Sequence, residues 1–502
     1  MTKQIFSLSL FLLLFNLQAQ TVDDALRYSL LQPQGTARFA GTGGSMSALG
    51  VDFTTLSTNP AGIGWARNGY FVITPGFKLE SSNAQLLAET ATNGTFDESD
   101  GQLTLPNIGV VFTSQTRSLH WSTFNFGIGI NRLADFNETI TYQGRSLGSI
   151  LESFVEDAND NVFNQFRNDL ALDLNGNLIF GELGDETRTG DAIFFNEETQ
   201  LFESDYPFLS DQILLDRQGV VTRSGGINEL VFSFGGNYRE KVMWGLTLGI
   251  PFMNYEENKI YEEIDRDNSL AAFDDLRFEE NLDVSGSGVN FKLGLIFRPT
   301  QALRVSVAAH SPTFWSIDEE FESTFTYNYT DFGRAFGGTA ESPLGEFGYN
   351  LQSPWRFLLG AGSVVGKKGF VALDLEYVNY AGNKFSYDDF TEEADALNEQ
   401  IDSVLTSGLN IKGGGEYNLG KFQARAGAGL QTFPQAGVDQ SFLTLSGGLG
   451  YRTGRVFFDL AYQFTRRNEF SFLPYSTFAI PGQEVEVNFN RHNLLLSGGL
   501  YF

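Results

Sequence analysis

The chain has no cysteine in its 502 residues. That excludes disulfides, thiolate metal sites, a cysteine nucleophile and a lipid-bearing N-terminal cysteine. Histidine is nearly as scarce, with three: His120, His310 and His492. Each falls on or beside one of the extended segments described below, where a lone histidine reads as an interfacial or interior residue. Long hydrophobic runs are missing after the N-terminus. No later stretch reaches the roughly 18 apolar residues that a helical membrane span needs. Catalytic patterns are scarce as well. Gly-x-Ser-x-Gly occurs once, at Gly144-Arg-Ser146-Leu-Gly148 inside the long insertion 133–226, and Gly41-Thr-Gly-Gly-Ser-Met46 fails the dinucleotide pattern and lacks its strand–helix context. Asp173-Leu-Asn175-Gly176 comes near a calcium loop, but Ala171 occupies the first ligand position. Nothing sets up a Ser–His pair. The expectation is no enzyme, no metal and no cofactor.

Basic residues are also few, 33 Lys and Arg against 61 Asp and Glu, for a net charge of −28. Nucleic acid, whose phosphates require Lys and Arg, is therefore not an expected partner. The acidity fits long solvated loops.

What the chain does have begins with a targeting signal. Lys3 precedes the apolar run Ile5 to Phe15, too short for a permanent span, and Leu17-Gln-Ala19 offers a cleavage site. Residues 1–19 are expected to be removed. Glycine (55) and phenylalanine (48) are abundant. Extended segments with period two run through the remainder. In 408–418, Leu409, Ile411 and Tyr417 alternate with Asn410, Lys412, Glu416 and Asn418. In 286–298, Val289, Phe291, Leu293, Leu295 and Phe297 alternate with Asn290, Lys292 and Arg298. Residues 420–432 and 454–466 repeat the pattern. Side chains in a strand point to opposite faces, so one face is apolar and the other polar.

These segments run for about 10–13 residues, the length of a tilted strand crossing a bilayer. Short connections (near 116–119, 239–241, 298–301, 366–368, 418–421 and 452–454) alternate with long ones (79–104, 133–226, 253–284, 314–352, 381–407, 433–440 and 467–485). Short periplasmic turns and long external loops are the outer-membrane arrangement. The expected fold is all-β: a transmembrane antiparallel barrel of about fourteen strands over residues 68–502, in a Gram-negative outer membrane. The strands are expected near 68–78, 105–115, 120–132, 227–238, 241–252, 285–298, 301–313, 353–365, 369–380, 408–418, 420–432, 441–452, 454–466 and 486–502. Residues 317–330 read as a hairpin arm above the membrane. Short helices are expected near 22–31 and 392–405. Leu147, Ile150, Leu151, Phe154, Val155, Ala158, Val162, Phe163 and Phe166 mark another in the large external insertion 133–226. The terminal Phe502 closes a strand as a girdle aromatic or as a signal to the barrel-assembly machinery.

Residues 20–67 are too rich in glycine and too aperiodic for a spanning strand. Non-regular backbone at membrane depth must be buried in protein or face water. A barrel of about fourteen strands has room for it in the lumen.

Gly35-Thr-Ala-Arg38, then Gly41, Gly43, Gly44 and Ala48, then Asn59-Pro60-Ala61-Gly62, resemble the N-terminal hatch of the FadL-like long-chain fatty-acid transporters, a family that includes toluene and xylene channels. Ser353-Pro-Trp-Arg-Phe-Leu-Leu-Gly-Ala-Gly362 and Leu373-Asp-Leu-Glu-Tyr-Val-Asn-Tyr380 resemble its later strands. The resemblance implies a hatch (20–67) carrying Arg38, Gly41, Gly44 and Asn59–Gly62. It also implies transport of a hydrophobic small molecule through a loop groove and a lumen pocket. Release is sideways, into the membrane, where a third strand kinks. Lateral release spares apolar surface from water. Asn125, Gly127 and Gly129, inward on the third strand, are the candidate lateral gate. Room for the hatch is the alternative explanation of those glycines. Phe273, Phe278, Phe321 and Phe325 suit a groove by chemistry alone. Outer-membrane lipid and lipopolysaccharide are the expected surroundings. The alternative functions are surface assembly, as in the PorV-type component of type IX secretion, which binds exported proteins, and haem uptake.

Overall fold

In the computed structural model, the described residues are 21–88, 91–152, 194–196, 201–203, 213–270, 273–387, 391–438, 440–472 and 484–502. The signal segment, the calcium-like loop at 171–176 and most of the helix expected from Leu147 to Phe166 lie outside them; residues 150–152 are helical.

Fourteen antiparallel strands form one closed ring. They are β1 (Tyr70–Leu86), β2 (Thr95–Gln115), β3 (Trp121–Asp135, continued by Glu138–Leu147), β4 (Leu214–Tyr238), β5 (Val242–Ile264), β6 (Asp275–Phe297) and β7 (Leu303–His310, continued by Phe314–Asp331). Then come β8 (Arg334–Glu341, Gly345–Gln352 and Arg356–Val364), β9 (Gly369–Asn379 and Lys384–Ser386), β10 (Ser407–Leu419), β11 (Phe422–Thr432), β12 (Ser441–Arg452), β13 (Val456–Phe472) and β14 (Val485–Tyr501). β14 pairs with β1 from Tyr70–Tyr501 to Leu86–Val485, so the sheet has no free side edge there.

The ring is inside out relative to a soluble barrel. Phe291, Leu293 and Phe458 are about half exposed on the outer face. Their polar neighbours Asn290, Lys292 and Asp459 are buried inside. Such an apolar band is stable only against lipid.

Most strands are longer than the alternating segments. The stretches 79–104, 133–147, 214–226, 253–264 and 275–284, expected as loops, mostly continue the ladders outward. Beyond the bilayer a strand needs no apolar outer face, so the alternation fades while backbone pairing goes on. Residues 314–341 form the expected hairpin arm, and α1 (Val22–Ser29) and α2 (Thr391–Val404) are the expected helices. Phe273, Phe278 and Phe325 are not groove residues. They are buried in the core of this outer storey with Tyr327, because the paired strand extensions close over them.

Candidate functional site

Residues 21–66 lie inside the ring. A short helical turn, Ala37–Gly41, packs against β11–β14, and the 3-10 helix Pro60–Trp65 packs against β3–β6 on the far side. The segment thus crosses the lumen. Thr21 caps α1: its hydroxyl accepts from Asp24 N, and its own N–H donates to Asp24 Oδ2 at 2.8 Å. Beyond α1 the chain runs extended beside β3, with Gln32 N donating to Leu133 O (2.8 Å) and Gln34 N to Arg132 O (3.1 Å).

The residues singled out in this segment are joined to the wall or to each other. The Arg38 guanidinium donates twice to Glu416 and once to Val51 O. Glu416 is also held by Arg425, which pairs with Asp459. Gly41 packs against Gly448, and Gly44 takes a left-handed backbone (φ +76°). Asn59 is fully buried. Its side-chain amide donates to Ser47 O (2.8 Å) and its carbonyl accepts from Ala61 N (3.1 Å), capping the 3-10 turn that Pro60 begins. Ser47 in turn is bonded by Oγ and by N to Asp374 of β9. Burial pushes the Asp52 carboxyl up, opposed by the Thr36 hydroxyl and by Arg38.

Wall glycines make room for all this. A Cβ on Gly245 or Gly294 would collide with Pro60 O or the Asn59 side chain, and one on Gly427 with Thr42 and Gly43. The same holds for Gly127 and Gly129, whose added carbons would meet Leu56 and Phe53. Asn125 donates to Ile63 O (2.8 Å). At all three residues β3 is paired with both β2 and β4, so the ladder runs unbroken through the candidate gate.

The ladder stops further out. β2 and β3 pair from Gln115–Thr123 to Asn107–Asn131 and no further. Beyond that point Thr95–Thr104 pairs with β1, and Glu138–Leu147 with β4. The sequence marks this place. Pro106, which has no N–H to donate, is the first residue past the last pair. Opposite it, β1 and β2 shift register between Thr74 and Gly76, around Pro75. The outer half of β3 then passes behind the β1–β2 hairpin on the lumen side. Ser82 Oγ donates to Thr139 O (2.6 Å), and Lys78 to Asn137 O (2.7 Å) and to Asp135. Glu138 is held by Arg223 (2.8 Å) and Arg467 (2.6 Å). The seam between the two edges is bridged through side chains: Gln102 to Asn137 (3.3 Å), Thr141 to Glu98 (3.2 Å), and the Asn93 amide, which accepts from Arg145 N (2.8 Å) and donates to Arg145 O (3.1 Å).

Behind the seam lies a cavity of about 520 Å³. Leu26 and Leu30 of the N-terminal segment form part of it, Phe136 and Ile140 of β3 another, and Phe442 and Phe489 the far wall. Arg27, Arg223, Arg467 and Arg491 also reach it, each paired to a carboxylate. The lining is therefore apolar with a charge-balanced polar side. Sequence reasoning found none of this wall, since the kink is written by Pro106 and the Asp135–Asn137 turn rather than by inward glycines. The histidines are elsewhere. His310 is buried against Thr58 O (2.6 Å), His120 meets Arg239 at a turn, and His492 meets the Tyr462 hydroxyl (2.7 Å) on the outer face.

No protein-family model and no curated protein matches this sequence. Among solved structures, the crystal structure of a Pseudomonas aeruginosa FadL homologue is similar, with a TM-score of 0.55 and 10% identity over 94% of this chain and 99% of that one. The Ralstonia pickettii toluene transporter TbuX (TM-score 0.48, 12% identity, 93% and 98% covered) and the Pseudomonas putida toluene transporter TodX (TM-score 0.47, 12% identity, 93% and 98% covered) are also similar. The closed ring of fourteen strands, together with the whole-length match to the FadL homologue, gives this chain the FadL-type fold, an outer-membrane β-barrel.

Proposed function

We propose that this protein carries a hydrophobic or amphipathic small molecule through the outer membrane, with residues 20–67 acting as a hatch and the β2–β3 seam as the sideways exit. One observation carries the reading. The cavity is lined by Ala134–Phe136, Glu138 and Ile140, on the stretch of β3 just past Asn131, its last pair with β2. A molecule held there lies beside a seam closed by side chains, while the N-terminal segment fills the lumen beneath it. The cavity volume falls within the roughly 300–1,000 Å³ of small-molecule sites. Leaving through the seam keeps apolar surface in lipid. The FadL-type fold supports the same reading. It moves the exit from Asn125, Gly127 and Gly129 to the seam above them.

The test is saturable binding of a long-chain fatty acid, and of toluene as a neutral probe, to detergent-purified protein, beside a variant lacking residues 20–64. Binding altered by the deletion supports hatch-controlled transport. Binding of neither probe by either form overturns it and favours a surface-assembly role.

A further inference from the structure

We infer that the short-turn end of the barrel is an anionic-phospholipid docking ring, specific for negatively charged headgroups of the leaflet on that side. Six short connections join the strands there: 116–120, 239–241, 298–302, 365–368, 420–421 and 453–455. Every one carries a base. Arg117, Arg298, Lys421 and Arg455 supply one each, and Arg239 with Lys241 and Lys367 with Lys368 supply two. That makes eight bases, against the single carboxylate Glu240, in a chain whose carboxylates outnumber its bases 61 to 33. The polarity of this end is opposite to that of the whole molecule.

Seven of the eight are exposed; Arg298 is half-buried. Glu240 is taken by Arg67, which precedes β1 on the same rim. Among the described residues none of the eight forms an ion pair within the chain; Arg298 lies over the Trp65 ring and Arg239 donates to His120, and the other six are exposed. Aromatic rings fix their depth. Trp121 packs on Tyr238, and Phe422 on Tyr451, with ring centres 5.2 Å apart in each pair. Such girdles sit at the headgroup level of a barrel. The bases lie on the turns just beyond these rings, within a Debye length of lipid phosphates. Lysine and arginine at that depth attract anionic lipid. At the opposite end, exposed carboxylates such as Glu320, Glu341 and Glu346 would repel it. In outer-membrane barrels the short turns are periplasmic, so the lipid addressed is that of the inner leaflet.

The test uses full-length protein folded in vesicles of phosphatidylcholine mixed with phosphatidylglycerol, then gently extracted, with retained lipid counted by native mass spectrometry. The wild type should keep phosphatidylglycerol over phosphatidylcholine, and rising salt should erode the preference. Neutralising K367Q, K368Q, K421Q and R455Q together should weaken retention by about fivefold per base at low ionic strength. The substitutions E320Q, E341Q and E346Q should not weaken it. Should the fourfold variant fail to fold, K367Q with K368Q serves in its place. Equal retention of the two lipids by the wild type, or an undiminished preference in the variant, overturns the inference.

Discussion

The guanidinium of Arg38 meets the carboxylate of Glu416 through two near-parallel hydrogen bonds, Nε to Oε2 at 2.9 Å and Nη2 to Oε1 at 3.2 Å, joining the lumen segment to β10. Glu416 also accepts from Arg425 Nε at 2.8 Å. The two partners are therefore not equivalent. Arg38→Met leaves Glu416 with Arg425, whereas Glu416→Gln weakens the hold on both cations at once. Breaking a buried pair costs about 3–5 kcal/mol. Glu416→Gln is expected to lower the unfolding midpoint more than Arg38→Met, and both should raise the ion conductance of the barrel in planar bilayers. Conductance unchanged in both variants would show that this pair does not hold the segment in place.

Asn59 supplies one donor and one acceptor to the backbone of its own segment. Each hydrogen bond contributes about 1 kcal/mol, and leaving Ser47 O or Ala61 N unpaired in the interior costs more. Asn59→Ala should destabilise by about 2–3 kcal/mol on that basis. Asn59→Asp should be worse, since a carboxylate oxygen would face the Ser47 carbonyl. Chemical denaturation of the detergent-solubilised protein measures both, and an Asp variant as stable as the wild type would contradict the assigned roles.

Because the chain has no cysteine, a crosslink can be placed at the seam without background. Gln102→Cys with Asn137→Cys, joined by a short bis-maleimide, fixes β2 to the outer half of β3 where their side chains now touch. Ligand should still bind in the cavity, but its transfer into the surrounding vesicle membrane should slow at least tenfold. A matched pair at Val110 and Ile128, inside the continuous ladder, should have no effect. Undiminished transfer with the seam locked would place the exit elsewhere.

Burial pushes the Glu152 carboxyl, on the outer storey, up to about 7. Its neighbour Glu263 pushes the same way, while a hydrogen bond from Ser149 N and the charge of Arg217 pull it down. A carboxyl raised on folding binds its proton more tightly in the folded state. Local stability is thus greatest below the ordinary carboxylate range and falls as pH rises from about 4.5 to about 7. Amides of residues 149–152 should exchange with solvent faster at pH 8 than at pH 5, after correction for intrinsic rates. In Glu152→Gln the difference should vanish; its persistence would assign the effect to another group.

All fourteen strands are legible in the sequence because alternation is local. Phe291-Lys292-Leu293 announces an outer and an inner face without reference to any other residue. The position of residues 21–66 was legible for a related reason: a glycine-rich, aperiodic stretch cannot span lipid, so its backbone needs protein or water around it. The candidate exit was less so. Gly127 and Gly129 look like weak points when β3 is read alone; what crowds them is Leu56 and Phe53 arriving from the lumen segment and, at Gly129, the β2 backbone at Ile108 and Gly109. Phe273, Phe278 and Phe325 look like groove residues until the extended strands bury them.

The sequence alone determined that this is a transmembrane barrel and that it has about fourteen strands, for each of these follows from a few neighbouring residues and their side-chain period. Only the tertiary structure decided where β2 and β3 part and what lines the cavity beside that point. Pairing between β2 and β3 ends where Pro106 removes a donor and Lys78, Arg223 and Arg467 draw Asp135 and Glu138 inward. Those partners come from β1, β4 and β13, far apart in the chain, and no local pattern records their meeting.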